Sequence, residues 1–107
     1  MKTLKFKEKL SKLILSGEKT TTWRLFDDKD LQVGDEVSFL VKETLEEFAQ
    51  ARLTEVKVTT FENLTADDFD GHEKYDSKEE MYKVYSGYYQ REVDKNSPVK
   101  IIKFELL

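Results

Sequence analysis

The sequence predicts a small α+β fold: a closed or nearly closed β-barrel of about five or six strands with two main helices. Three observations point there. Most apolar residues recur in short strand-like stretches divided by turn signals. Only two stretches keep helical spacing over a useful length, too few for the crossover helices of a doubly wound parallel sheet. The alternation between Gln50 and Thr60 also changes face midway, which a bulge reconciles, and bulges help curl a sheet into a barrel.

Taken in order, Thr3 to Phe6 reads as a short first strand leading into a helix. Phe6, Leu10, Leu13 and Ile14 recur at helical spacing, and Gly17 stands where a left-handed cap stops the helix near Ser16. Three threonines and a tryptophan follow, so Thr20 to Leu25 is a second strand. Phe26 to Gln32 is a polar, acidic loop, and Gly34-Asp35 signals a turn. Val37, Phe39 and Val41 then alternate with Ser38 and Lys42 as a half-buried strand. In the next strand Ala51 and Leu53 face one way, whereas Val56 and Val58 face the other. Thr65-Ala66-Asp67-Asp68 starts a short helical turn, and Ser77-Lys78-Glu79-Glu80 has the spacing of a capping box for a longer helix. Met81, Val84, Tyr85 and Tyr88 mark the buried face of that helix, and Gly87 weakens its end. Asn96-Ser97-Pro98 is a turn, after which Val99 to Leu107 closes the sheet.

At 107 residues the chain is expected to be one domain, residues 1–107, able to bury one modest core. Its 38% hydrophobic and 37% charged residues fit a soluble globular protein, and its apolar runs are too short to span a bilayer, so no membrane partner is expected. With no cysteine there are neither disulfides nor thiolate metal sites, and a single histidine, His72, argues against a zinc site, so no metal is expected. Met1-Lys2-Thr3-Leu4-Lys5-Phe6 lacks the apolar block of a signal peptide, which makes a cytoplasmic location the default. The net charge of −4 opposes binding to nucleic acid through bulk electrostatics. The acid is concentrated between Glu62 and Glu80, whereas the first 25 residues are basic. That polarity suits a small substrate held by a few cations better than a long duplex.

The stretch Gly17-Glu18-Lys19-Thr20-Thr21-Thr22-Trp23-Arg24 places an amine, hydroxyls and a guanidinium where a helix gives way to a strand. Amide or ester cleavage needs a nucleophile, a base and donors for a developing oxyanion. Thr22 supplies a hydroxyl, and Lys19 can take its proton if desolvation and a neighbouring cation such as Arg24 keep part of it neutral. On a regular strand Thr22 and Arg24 share a face and Lys19 points away, so Lys19 must lie in the turn before the strand to join them. The alternative is an ordinary turn with a solvated lysine and a surface arginine.

The pattern Gly17-x-Lys19-x-x-Thr22-x-Arg24, followed by Leu31-Gln32-Val33-Gly34-Asp35-Glu36-Val37-Ser38-Phe39, resembles the ASCH domain, a branch of the PUA-like barrels. Glu73-Lys74-Tyr75-Asp76-Ser77-Lys78-Glu79-Glu80-Met81 is similar to the segment in which that family carries a glutamate ahead of its second helix, and Val99 to Phe104 resembles its closing strand. The resemblance implies a PUA-like barrel and, in the small N4-acetylcytidine amidohydrolase branch, hydrolysis of N4-acetylcytidine to cytidine and acetate. It carries catalytic roles to Lys19, Thr22 and Glu73 and a substrate-binding role to Arg24, with no metal or organic cofactor. Glu73 stands among other acids, which suggests a raised pKa and a proton-shuttle role, or else a part in orienting the amine or holding water. Two departures stand out: the bulky Trp23 lies between Thr22 and Arg24, and Lys74 follows Glu73 where many relatives have glycine. A lysine there is placed to pair with Glu73.

Trp23 and Tyr75 are further substrate-binding candidates, as surfaces on which a base stacks, although a strand tryptophan also serves as core and the tyrosines as packing. His72 reads as a solvent-exposed loop histidine, with a proton relay as its alternative. Three functions stay open: deacylation of a modified nucleoside, noncatalytic RNA binding, and ribonuclease action in the same cleft. The expected partner is accordingly a modified nucleoside or RNA.

Overall fold

The computed structural model describes residues 1–107. A five-stranded sheet curls into a half-barrel, with strand order β1-β3-β4-β5-β2. The strands are β1 (Lys2–Phe6), β2 (Thr21–Arg24), β3 (Glu36–Val41), β4 (Glu47–Thr60) and β5 (Pro98–Leu106). Helix α1 (Glu8–Ser16) joins β1 to β2, while a 3-10 turn (Phe61–Asn63), α2 (Ala66–Phe69) and α3 (Lys78–Tyr89) lie between β4 and β5. β1 runs parallel to β3, and every other pair is antiparallel. This is the α+β barrel class expected, with five strands and two substantial helices.

The expected change of face occurs in β4, whose register against β5 shifts between Leu53 and Glu55. A second shift lies between Phe39 and Leu40 in β3. Adjacent side chains of β5 serve opposite faces of the sheet. Ile102 joins a core of Leu4, Phe6, Ile14, Val37, Phe39, Leu53 and Phe104, against which Leu10 of α1 also packs. Ile101 belongs to the other cluster, with Trp23, Leu25, Phe61, Met81 and Tyr85, where α3 covers the sheet. Tyr88, expected on the buried face of α3, is 38% exposed. The helix ends at Gln90, which adopts φ 53° in a left-handed cap, and Tyr88 in its last turn lines the pocket described below.

Two local devices set up the site. Gly17 takes φ 86° and its N–H donates to the Ile14 carbonyl, stopping α1 in the left-handed cap its residue type permits. The Lys19 N–H donates to the Leu13 carbonyl at 3.1 Å, so the residue just before β2 is tied back to the last turn of α1. The second device is the segment after α2. The Gly71 carbonyl accepts from the Thr20 and Thr21 N–H groups at 2.9 and 3.1 Å, and the Asp70 carbonyl accepts from the Thr21 hydroxyl at 2.7 Å. The segment after α2 is thereby docked against the start of β2.

Candidate active site

Lys19, Thr22, Arg24 and Glu73 line one pocket of about 170 Å³. Lys19 occupies the turn before β2 and so escapes the alternation that would have turned it from Thr22 and Arg24. It is only 3% exposed. Its Nζ donates to the Thr21 carbonyl at 2.8 Å and to Glu73 Oε2 at 2.6 Å, across 54 positions of sequence. An ammonium has three donors, so one remains for a ligand. Burial pushes the amine below the ordinary lysine range; Glu73 opposes this, and the nearby Arg24 adds to it.

Glu73 behaves differently from the sequence expectation of a raised pKa. Burial does push its carboxyl up, but Lys19, through its charge and its hydrogen bond, outweighs burial, and the net displacement is downward. Glu73 is therefore a carboxylate that accepts hydrogen bonds rather than a stored proton. Lys74 does not pair with it: the Lys74 Nζ donates instead to the Phe69 carbonyl at 3.3 Å.

Thr22 is 4% exposed, and its Oγ1 accepts from Arg24 Nε at 3.2 Å. A second guanidinium nitrogen, Nη2, donates to the Lys5 carbonyl at 2.9 Å, and the guanidinium lies over the Phe6 ring at 4.5 Å. Arg24 thus braces the pocket wall and bridges from β2 to β1, the two edges of the curled sheet.

His72 corrects its own expectation. It is buried, 7% exposed, stacked on Trp23 with ring centroids 3.8 Å apart and an interplanar angle of 10°. Its Nδ1 lies 2.9 Å from the Glu73 carbonyl, and its Nε2 lies 3.2 Å from the Tyr85 hydroxyl. A carbonyl only accepts, so Nδ1 carries the proton and Nε2 accepts from Tyr85. Burial, reinforced by the Lys19 charge, lowers the imidazole to about 4, so it is neutral at physiological pH. His72 and Tyr85 also line the pocket. The sequence offered no period or motif for this pair, because the two residues meet only when the loop and α3 pack together.

Trp23 sits in the wall, 3% exposed, its Nε1 donating to the Asp68 carbonyl at 3.1 Å. One ring face is covered by His72, so it serves as the backing of the pocket more than as a free stacking platform. Tyr75 is not among the lining residues; it packs behind Trp23 and Tyr85 with ring centroids 6.3 Å from each. The tyrosines at the pocket are Tyr85, Tyr88 and Tyr89. Tyr89 is fixed by accepting from the Leu25 N–H at 3.0 Å.

The ASCH domain family model matches residues 2–107. Among solved structures, the chain is similar to the hypothetical protein PH0355, at 26% identity over the whole of both chains with a TM-score of 0.75. It is similar to PF0455 from Pyrococcus furiosus at 24% identity, over 99% of this chain and 96% of that one, with a TM-score of 0.68. An ASCH domain from Lactobacillus crispatus JV V101 shares 14% identity over 98% of this chain and 79% of its own, with a TM-score of 0.71. A comparison with curated proteins gives no match.

Proposed function

The chain belongs to the ASCH domain family, and from that premise we propose that it is an amidohydrolase removing the acyl group from the exocyclic amine of an N4-acylated cytosine nucleoside, with N4-acetylcytidine as the reference substrate. The observation that carries this reading is the 2.6 Å contact between Lys19 and Glu73 inside a pocket that Thr22 also lines. Desolvation favours the neutral form of Lys19, which is what a base requires, while Glu73 fixes the position of the amine.

In this reading the Lys19 amine takes the Thr22 hydroxyl proton and Oγ1 adds to the acyl carbon. The bond from that carbon to N4 then breaks, and the proton held on Lys19 passes to the departing N4 to give the free amine. Water cleaves the resulting threonine ester, releasing the carboxylic acid and restoring the hydroxyl. The two N–H groups of the neutral amine stay on the Thr21 carbonyl and Glu73, so the third proton of the ammonium is the one taken from Thr22 and carried to N4. The size of the pocket favours a single base over a strand: about 170 Å³ is close to the cavity of about 150 Å³ known to take one benzene ring. Noncatalytic RNA binding is the rival reading within the same family expectation.

The test is hydrolysis of a panel of N4-acylated nucleosides, with an RNA titration alongside. Lys19→Ala is expected to lower turnover by about 100-fold to 10,000-fold. Thr22→Ala falls as far if the threonine attacks, but keeps most activity if Lys19 and Glu73 activate water directly. Full activity in Lys19→Ala would sink the mechanism. A wild type inert towards the whole panel transfers the reading to RNA binding.

A further inference from the structure

The pocket is bounded by more positive charge than its proposed chemistry uses. Lys5 at the end of β1, Lys7 between β1 and α1, and Lys42 in the turn after β3 all line it, and all three are exposed. Four lysines on or beside the sheet are matched, Lys2 to Asp35, Lys57 to Asp68, Lys100 to Asp27 and Lys103 to Asp67, whereas others, such as Lys9, Lys78 and Lys83, have no carboxylate partner and do not line the pocket. None of the three at the pocket has a carboxylate partner. Lys7 rests its Nζ over the Tyr88 ring, 4.9 Å from the centroid. The nearby Glu43 carboxylate accepts from the Glu8 N–H at 3.1 Å, and Glu73 is taken by Lys19. A chain with net charge −4 thus brings three unmatched cations, from β1, the β1–α1 junction and the turn after β3, to the rim of one cavity.

Like charges brought together repel, and an anion bound among them relieves that repulsion while gaining theirs. Arg24 is held against the pocket wall by Nε on Thr22 and Nη2 on the Lys5 carbonyl, so the mobile cations at the rim are the lysines. Lysine ammoniums on flexible stems are suited to a phosphate as point charges, without the fixed geometry a guanidinium needs. The depth of the pocket, with Lys19, His72 and Glu73, is polar and compact, whereas the free lysines are exposed.

We propose that the substrate is a phosphorylated nucleoside, its base in the pocket and its phosphate held by Lys5, Lys7 and Lys42. This rests on the pocket being the base site, as in the proposed function, but not on hydrolysis. The phosphate belongs either to a free mononucleotide or to an RNA strand, and the chemistry recognised is the same in both.

Calorimetric titration with cytidine, cytidine 5′-monophosphate, cytidine 3′-monophosphate and a short oligocytidylate tests it in the wild type and in the combined variant Lys5→Gln, Lys7→Gln, Lys42→Gln. Three exposed cations predict that one of the monophosphates binds about 10-fold to 100-fold more tightly than cytidine at low salt. That preference should shrink as salt is raised and approach unity in the combined variant. A circular dichroism spectrum checks its fold, and the three single variants, each losing part of the preference, serve in its place if it fails to fold. Oligocytidylate binding beyond the monophosphates assigns the phosphate to RNA, and equal binding assigns it to a mononucleotide; both support the site. Equal affinity for cytidine and both monophosphates, no binding of any of them, or a preference unchanged in the variants overturns it. Phosphate preference without deacylation rejects only the hydrolytic reading, and deacylation without phosphate preference rejects only this one.

Discussion

Lys19 owes its properties to two opposing influences, loss of water and the Glu73 carboxylate 2.6 Å away. The lysine itself was legible in the motif, but its burial was not, since a helix-end lysine is ordinarily solvated. The consequence is that Lys19 is expected to matter for stability as well as for the proposed hydrolysis. Lys19→Met leaves Glu73, 25% exposed at its side chain, without its partner. The expected loss is about 1 to 3 kcal/mol, below the range for a fully buried pair because water still reaches the carboxylate. Adding Glu73→Gln removes the stranded charge and should recover most of that loss, while hydrolysis remains absent in both proteins. Urea unfolding of the two variants checks this. A double variant no more stable than Lys19→Met would mean that the stranded charge is not the cause.

Glu73 reaches Lys19 because of the loop that carries it. The Gly71 carbonyl bonds the first N–H groups of β2, and Trp23 Nε1 and the Thr21 hydroxyl hold the neighbouring carbonyls of Asp68 and Asp70. Gly71 has φ 74°, and a Cβ there would fall 1.9 Å from Thr20 Oγ1. Gly71→Ala therefore meets both left-handed backbone strain and a clash, and is expected to destabilise by about 2 to 4 kcal/mol. It should also depress turnover, since Glu73 lies two residues on. Thermal unfolding and the deacylation assay test this together, and a variant of wild-type stability would show that the loop is free to shift. At the far end of the same segment, the Ser77 hydroxyl caps α3 by accepting from the Glu80 N–H at 3.1 Å. Ser77→Ala should cost about 1 kcal/mol and leave the pocket chemistry unchanged. The Ser77 cap and the Gly17 stop were readable because each is a local device. The role of Gly71 was not, because its partners lie about fifty positions away in sequence.

For the molecule as a whole, His72 links stability to pH. Its ordinary value is 6.5 and the fold lowers it to about 4. Between those values the unfolded chain holds a proton that the folded protein does not, so stability is present above pH 6.5 and falls as pH drops through this window. A displacement of that size corresponds to about 3 kcal/mol at most. Asp27, Asp68 and Glu73 are depressed carboxylates, so their contribution is lost only at more acid pH, as they take up protons in the fold. Urea midpoints should therefore decline between pH 7 and pH 5, and His72→Asn should flatten that decline even if it lowers the midpoint overall. An equal decline in the variant would remove His72 as the cause. Across the fold, the edges β1 and β2 are linked by side chains: Arg24 to the Lys5 carbonyl and, from the loop after β2, Lys29 to the Thr3 carbonyl. No helix is long and apolar enough to cross a membrane.

By itself the sequence determined the elements and their order, the bulge in β4, the helix stop at Gly17 and the cap at Ser77. Each is written in residues a few positions apart, through side-chain period, backbone freedom or a single hydrogen bond. Only the tertiary structure decided that Glu73 pairs with Lys19 rather than Lys74, that its carboxyl is lowered rather than raised, that His72 is buried against Trp23, and that Tyr75 lies behind the pocket. Those outcomes depend on which groups lose water and which charges then face one another. Neither is fixed until the loop after α2 docks on β2 and α3 closes over it, because both depend on distance in space between segments far apart in sequence.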